Sequence, residues 1–209
     1  MRFGMGLGGL ILAAGESSRM GRDKALLPWP AEGPDTLLSA AIRALSDYCD
    51  LVLVVTGNNS SALEPVIYGC GAFLVANPAP ERGQFSSLRT GLQELLNRGR
   101  DNAMVTLVDR PPPKEPTIRR LVDRFASREH GIWAVVPEYQ GKHGHPVLIG
   151  REMIEAFLKA RLTSNAREIE HANPERVSET PAGKERRAVG NRCHGRVRWG
   201  ERHPSRLTP

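Results

Sequence analysis

Cysteine is scarce in this 209-residue chain: Cys49, Cys70 and Cys193 are widely spaced and odd in number. Such spacing offers no disulfide framework and no paired thiolates for a metal, and it suits incidental thiols in a reducing cytoplasm. Long apolar runs are also missing. None approaches the roughly 20 residues needed to cross a bilayer. Met1-Arg2-Phe3 leads into glycines without a signal-peptide cleavage pattern. The expectation is therefore a cytoplasmic protein with no membrane partner. A basic body is missing too, although the net charge is +6. Residues 173–209 carry nine Lys or Arg against four Asp or Glu, a balance of +5, which leaves +1 for the other 172 residues. A nucleic-acid partner read from overall charge would rest on one end of the chain, so none is expected. No internal repeat is visible.

What is present is the composition of one sizeable globular domain, 40% hydrophobic and 25% charged. Strand and helix signals alternate to about residue 160. Leu10–Ala14, Leu51–Thr56, Ala72–Val75, Ala103–Val108 and Ile132–Val136 are short apolar runs, as in strands buried on both faces, and Pro146–Ile149 is a sixth candidate. Leu37, Leu38, Ala41, Ile42 and Leu45 form one helical stripe, with Asp35 as the expected N-cap. Leu88, Leu92, Leu95 and Leu96 form a second stripe, and Ile118, Leu121, Val122 and Phe125 a third. Met153, Ile154, Phe157 and Leu158 form a fourth. This alternation predicts an α/β fold of three layers with a mostly parallel sheet, in which ligands bind beyond the carboxyl ends of the strands. Gly15, Asn77 and Asp109 all fall at such ends. Beyond Ala172 the chain is rich in Arg, Gly and Pro and loses periodicity. The predicted division is a domain over 1–172 and an atypical, disordered or poorly packed basic segment over 173–209.

The densest signal is the stretch from Leu10 to Pro28. An apolar run stops at Gly15, a small polar loop follows, and Arg19 and Lys24 stand five residues apart before Leu26-Leu27-Pro28. Small residues let backbone N–H groups approach an anion, and two cations suit a polyphosphate. The spacing is not that of a P-loop, which ends in Gly-Lys-Ser or Gly-Lys-Thr. Gly4-Met5-Gly6-Leu7-Gly8-Gly9 matches G-x-G-x-x-G, but it precedes the first strand, the wrong order for a dinucleotide fingerprint. Asp109 at a strand end suits either a hard divalent cation or a helix cap. Asn77-Pro78 and Gly83-Gln84-Phe85-Ser86-Ser87 make a second loop, a turn with a serine cap whose helix N-terminus points N–H groups outward. His145, in Gly144-His145-Pro146, is ambiguous on its own.

Taken in order, Ala13-Ala14-Gly15, Ser17-Ser18-Arg19-Met20-Gly21, Lys24 and Leu26-Leu27-Pro28 resemble the signature loop of the MobA-like NTP transferases. Within that family the chain is similar to the molybdenum cofactor cytidylyltransferase branch and its guanylyltransferase relatives. The resemblance covers about residues 8–160. It implies a Rossmann-like nucleotidyltransferase fold and an Mg²⁺-dependent enzyme that joins a nucleotide triphosphate to a small phosphorylated acceptor. It implies that Leu12, Ala13, Ala14 and Gly15 hold base and ribose. Arg19 and Lys24 are then catalytic cations at the phosphates. Asp109 is the catalytic magnesium ligand, and Asn77, Ser86 and Ser87 face the nucleotide. His145 falls on the acceptor side. Ala14 in Ala-Ala-Gly favours CTP, since the guanylyl branch tends to carry Ala-Gly-Gly. Methylerythritol-phosphate and sugar-phosphate cytidylyltransferases share Ala-Ala-Gly and are the alternative. Molybdopterin is the favoured acceptor, with a molybdoenzyme or its chaperone as recipient of the product. The family's terminal Asp-x-Asp-Thr-Pro-like segment, which completes the magnesium site, has no counterpart here. A shifted reading frame of GC-rich DNA or a divergent natural tail would each explain that. A nucleotide-binding protein with impaired catalysis is therefore the alternative of a different class.

Overall fold

The computed structural model describes residues 6–15 and 23–181. The chain opens on β1 (Leu7–Leu12), then a small ribbon of β2 (Pro28–Trp29) and β3 (Asp35–Thr36), then α1 (Leu37–Ser46). β4 (Leu51–Thr56), α2 (Ser60–Gly69), β5 (Phe73–Ala76) and α3 (Gln84–Asn97) follow. Next come β6 (Asn102–Leu107), α4 (Glu115–Ala126), β7 (Ala134–Tyr139), β8 (Lys142–His143) and β9 (Val147–Ile149). α5 (Arg151–Lys159), α6 (Ala166–His171) and β10 (Val177–Pro181) close the described chain. No helix among the described residues is long and apolar enough to cross a membrane.

The main sheet runs β10-β7-β9-β6-β1-β4-β5, with β8 paired to β7. β1 pairs in parallel with both β4 and β6, and β4 with β5, which is the mostly parallel sheet expected from the sequence. β9 is the exception and runs antiparallel to β6 and β7. It is reached through a hairpin whose two turn residues, Gln140 and Gly141, have φ of 51° and 71°. That pair of left-handed conformations is what a two-residue hairpin needs to match strand twist. α1, α2 and α4 cover one face, where Leu38, Ile42, Leu63, Ile67, Leu121 and Phe125 pack on Ile11, Val54 and Met104. α3 and α5 cover the other, where Leu88, Leu92, Met153 and Phe157 pack on Leu10, Leu53 and Val105. Three layers follow directly from strands that are apolar on both faces.

Three details depart from the sequence reading. α1 is capped by Thr36, not Asp35. Thr36 Oγ1 accepts the Ser39 N–H at 3.0 Å and Ser39 Oγ accepts the Thr36 N–H at 2.9 Å, a reciprocal capping box. Asp35 instead meets Arg43. α2 goes unforeseen because Pro65 sits inside it and only Leu63 and Ile67 are buried, so no long stripe marks it.

The third departure is at the end of the domain. Val177–Pro181 forms an edge strand parallel to β7, so the sheet extends past the boundary expected at Ala172. Pairing of this kind runs on backbone N–H and C=O groups, which a polar stretch supplies as well as an apolar one. The Trp133 N–H donates to Arg176 O at 2.7 Å, and the Arg176 guanidinium lies 5.3 Å from the Trp133 ring centre. Residues 182–209, with Cys193, lie outside the described residues. Ending the chain after Ala172 exposes the β7 edge and removes these contacts. The expected loss is about 2 kcal/mol, or a melting temperature lower by roughly 4–8 °C for a chain of this size. A thermal melt of the truncated protein that overlays the full-length one would show that β10 adds no stability.

Candidate active site

β1 lies between β4 and β6, so the strand order turns back on itself there. Crevices open at such switch points, beyond the strand ends. A cavity of about 570 Å³ occupies this place, lined by Leu12, Ala14 and Gly15 at the end of β1 and by Leu107, Val108 and Asp109 at the end of β6. Lys24 and Asp23 form a third wall, and Glu81, Gly83, Gln84 and Ser87 a fourth.

The first wall is held by the backbone. Ala13 is buried, its N–H donates to Val55 O at 2.8 Å, and its carbonyl accepts from Asn59 Nδ2 at 2.9 Å. Ala14 passes close to the turn after β4. A Cβ on Gly57 would come within 3.0 Å of the Ala14 carbonyl and 2.9 Å of Pro80, so only glycine lets these segments meet. Lys24 opens a single 3-10 turn, Lys24–Leu26, capped by Asp23, whose Oδ1 accepts the Ala25 N–H at 2.9 Å. Asp23 Oδ2 accepts from Asn59 Nδ2 at 2.6 Å.

On the far wall, Asn77 is buried at the end of β5. Its Nδ2 donates to Ser86 Oγ at 2.8 Å and Ser87 Oγ at 3.0 Å, and its Oδ1 accepts the Ala79 N–H at 3.0 Å. Ser86 Oγ donates in turn to Gly83 O at 2.8 Å. Asn77 thus orients the two hydroxyls at the start of α3. α3 begins after Gly83, at φ 88°, with no side-chain cap; the Ser86 N–H donates to Gly83 O at 3.2 Å, and the helix N-terminus borders the cavity at Gln84.

Of the residues picked out from the sequence, Leu12, Ala14, Gly15, Lys24, Ser87 and Asp109 come together on the cavity. Ala13 supports it from beneath, and Asn77 and Ser86 border an adjoining groove of about 480 Å³. Arg19 lies outside the described residues. His145 does not line the cavity, though it lies near enough to Asp109 for the two charges to interact. β9 is antiparallel, with Val105 opposite Val147. The residue before β9 therefore arrives at the same sheet edge as the residue after β6. Burial of the imidazole holds the His145 pKa below the ordinary histidine value, and the Arg110 charge adds to this. The nearby Asp109 charge and a 3.5 Å contact between Nδ1 and Val105 O oppose it. The residues missed by sequence reasoning are Asp23, Asn59 and Glu81. Asp23 carried a signal, an Asp just before a Lys-Ala-Leu turn; the other two carried none.

The description "MobA-like NTP transferase domain" matches residues 9–177. The chain belongs to this family. As a MobA-like NTP transferase it is a nucleotidyltransferase. It is 26% identical over 160 residues to the molybdenum cofactor cytidylyltransferase of Escherichia coli strain K12, covering 76% of this chain and 78% of that protein. It is 35% identical over 107 residues to a probable molybdenum cofactor guanylyltransferase of Mycobacterium avium strain 104, a match spanning about half of each protein, 51%. The crystal structure of Rv0371c from Mycobacterium tuberculosis H37Rv superposes with a TM-score of 0.69 at 26% identity, over 84% of this chain and 87% of that one. A nucleotidyl transferase from Methanothermobacter also gives 0.69, at 22% identity, over 85% and 88%. The second superposition shows a shared fold alone.

Proposed function

We propose that this enzyme transfers CMP from CTP to a phosphorylated acceptor, molybdopterin in the favoured case, with release of pyrophosphate. An acceptor phosphate oxygen attacks the α-phosphorus, a P–O bond forms, and the bond to the β-phosphate oxygen breaks. The observation that carries this reading is the meeting of Ala14, Gly15, Lys24 and Asp109 on one cavity at the switch point. In-line transfer asks little covalent chemistry of the protein. It asks for two phosphates held in line and for charge neutralised as it develops. Lys24 faces the phosphates, with Arg19 as its partner cation. The N-terminus of α3 and the Ser87 hydroxyl support the nucleotide across the cavity. Asn77 and Ser86 keep that wall in place, and His145 stands toward the acceptor.

Mg²⁺ prefers oxygen ligands and is commonly held by one or two carboxylates together with substrate phosphates. Among the described residues no group of three His, Cys, Asp or Glu is placed to hold a metal. The Asp109 carboxylate fits the one-carboxylate arrangement, with triphosphate oxygens as the other ligands. When bound, the ion would neutralise charge on the triphosphate.

The choice of CTP rests on Ala14. Its methyl narrows a pocket in which the guanylyl relatives tend to have glycine, and one methyl is worth about 1–3 kcal/mol. Calorimetry is expected to give CTP a dissociation constant roughly 10-fold or more below that of GTP. Tighter GTP binding would move the chain to the guanylyl branch. A nucleotide-binding protein with little turnover is the second reading. Its support is Glu179, the carboxylate of β10, which is engaged by His143 at 2.8 Å and does not line the cavity. Measuring pyrophosphate release beside binding separates the two.

A further inference from the structure

Asn59 occupies the N-cap position of α2, where an asparagine side chain ordinarily accepts a hydrogen bond from its own helix. Here it makes no such bond. Its Nδ2 donates to Ala13 O at 2.9 Å and to Asp23 Oδ2 at 2.6 Å, and its Oδ1 accepts the Gly57 N–H at 3.0 Å. One amide thus meets three segments: the end of β1, the turn after β4, and the residue that caps the Lys24 turn. Its partners Ala13 and Asp23 stand on either side of the signature loop, ten residues apart in sequence. Both amide hydrogens and the oxygen are used, so the rotamer has little freedom.

We propose that Asn59 is a positioning residue for nucleotidyl transfer. It ties together the two ends of the 13–23 loop and, through Asp23, sets Lys24 on the cavity wall. The inference rests on the reading of Lys24 as the phosphate-facing cation. Helix α2 gives up a side-chain cap so that this amide can serve the loop, and a purely local structural role would leave the amide on the helix. The bond to Asp23 is a hydrogen bond to a charged acceptor, stronger than a neutral one. It orients the carboxylate whose other oxygen caps Ala25.

Two variants and one reciprocal exchange test this in the full chain. Asn59→Ala removes all three contacts. Asn59→Asp sets a carboxylate against the Asp23 carboxylate and the Ala13 carbonyl, so acceptors face acceptors. In the double variant D23N/N59D the hydrogen bond between positions 23 and 59 returns with reversed polarity, while the Ala13 carbonyl still faces an acceptor. Asn at 23 still caps Ala25, and Asp at 59 still accepts from Gly57. Hydrogen exchange followed by mass spectrometry on the nucleotide-free protein is the first readout. Peptides covering 23–27 are expected to exchange about tenfold faster in both single variants and to recover part of their protection in the double. The second readout is steady-state pyrophosphate release with CTP-Mg²⁺ and GTP-Mg²⁺ in the presence of molybdopterin. kcat is expected to fall tenfold or more in the single variants, with little change in KM for the nucleotide, and to recover in part in the double. Unchanged exchange over 23–27 in Asn59→Ala would overturn the proposal. So would a double variant no better than Asn59→Asp, or kcat losses that simply follow a fall in melting temperature. If the wild-type protein turns over neither nucleotide, the functional reading fails, and the exchange result by itself still decides the clamp.

Discussion

Lys24→Ala is expected to lower turnover by about a hundredfold while the melting temperature stays within a few degrees of wild type. Lys24 begins the turn Lys24–Leu26 on the cavity wall, and Ala25, not Lys24, is the buried residue of that turn. Truncating the lysine therefore spares the core. The charge lost is one placed in advance, in a site where reorganisation would otherwise be needed. Such groups contribute ~3 kcal/mol to transition-state stabilisation. The loss should fall mainly on kcat, because negative charge on the triphosphate shifts as the bond to pyrophosphate breaks. Steady-state pyrophosphate release together with a thermal melt gives both numbers. A variant that turns over at the wild-type rate, or one that unfolds, would remove Lys24 from the reaction.

Asp109→Asn should have the second large effect, a shift of the Mg²⁺ dependence to higher concentration by an order of magnitude or more. The amide keeps size and hydrogen-bonding shape but offers a neutral oxygen to a hard cation, which prefers anionic ones. Asp109 is exposed at the carboxyl end of β6, next to the half-turn closed by the Arg110 N–H to Leu107 O at 3.1 Å, so the exchange leaves the core alone. Activity titrated against Mg²⁺ at fixed nucleotide is the measurement. An unchanged midpoint would leave Asp109 without a metal role.

The parts of this fold that could be read from sequence are those where one chain segment meets the whole interior. β4 is buried on both faces and reads as an apolar run, whereas β1 starts at Leu7, three residues before its expected start, and takes in Gly8 and Gly9, which fall outside the strand read from sequence because glycine carries no apolar signal. α4 buries Ile118, Leu121, Val122 and Phe125 at helical spacing and reads just as clearly. Placing Gly15, Asn77 and Asp109 on one edge followed from topology, because each ends a strand of a parallel sheet. The unread parts depend on partners far away in sequence. Asn59 reaches Ala13 and Asp23 across 46 and 36 residues, and nothing local in Gly57-Asn58-Asn59 distinguishes it from an ordinary turn. β10 depends on the open edge of β7, which no pattern within Val177–Pro181 reveals. The sequence reading turns Asn77 toward the nucleotide, whereas its amide is engaged by Ser86 and Ser87, a pairing that no local pattern announces.

The reversed direction of β9 has a consequence for how such a site can be altered. Parallel strands present only the residue that follows them to the ligand edge, so each new contact there normally costs a full crossover helix. A single strand run backwards presents the residue that precedes it, and a two-residue hairpin is enough to reach it. The rim is thereby divided between two kinds of supplier. Residues after β1, β5 and β6 line the cavity, and the segment before β9 brings His145 to the same edge from the opposite direction. The Gln140–Gly141 turn of that hairpin stands apart from the cavity lined by Ala14, Lys24 and Asp109, so a change in the turn's length leaves that lining in place.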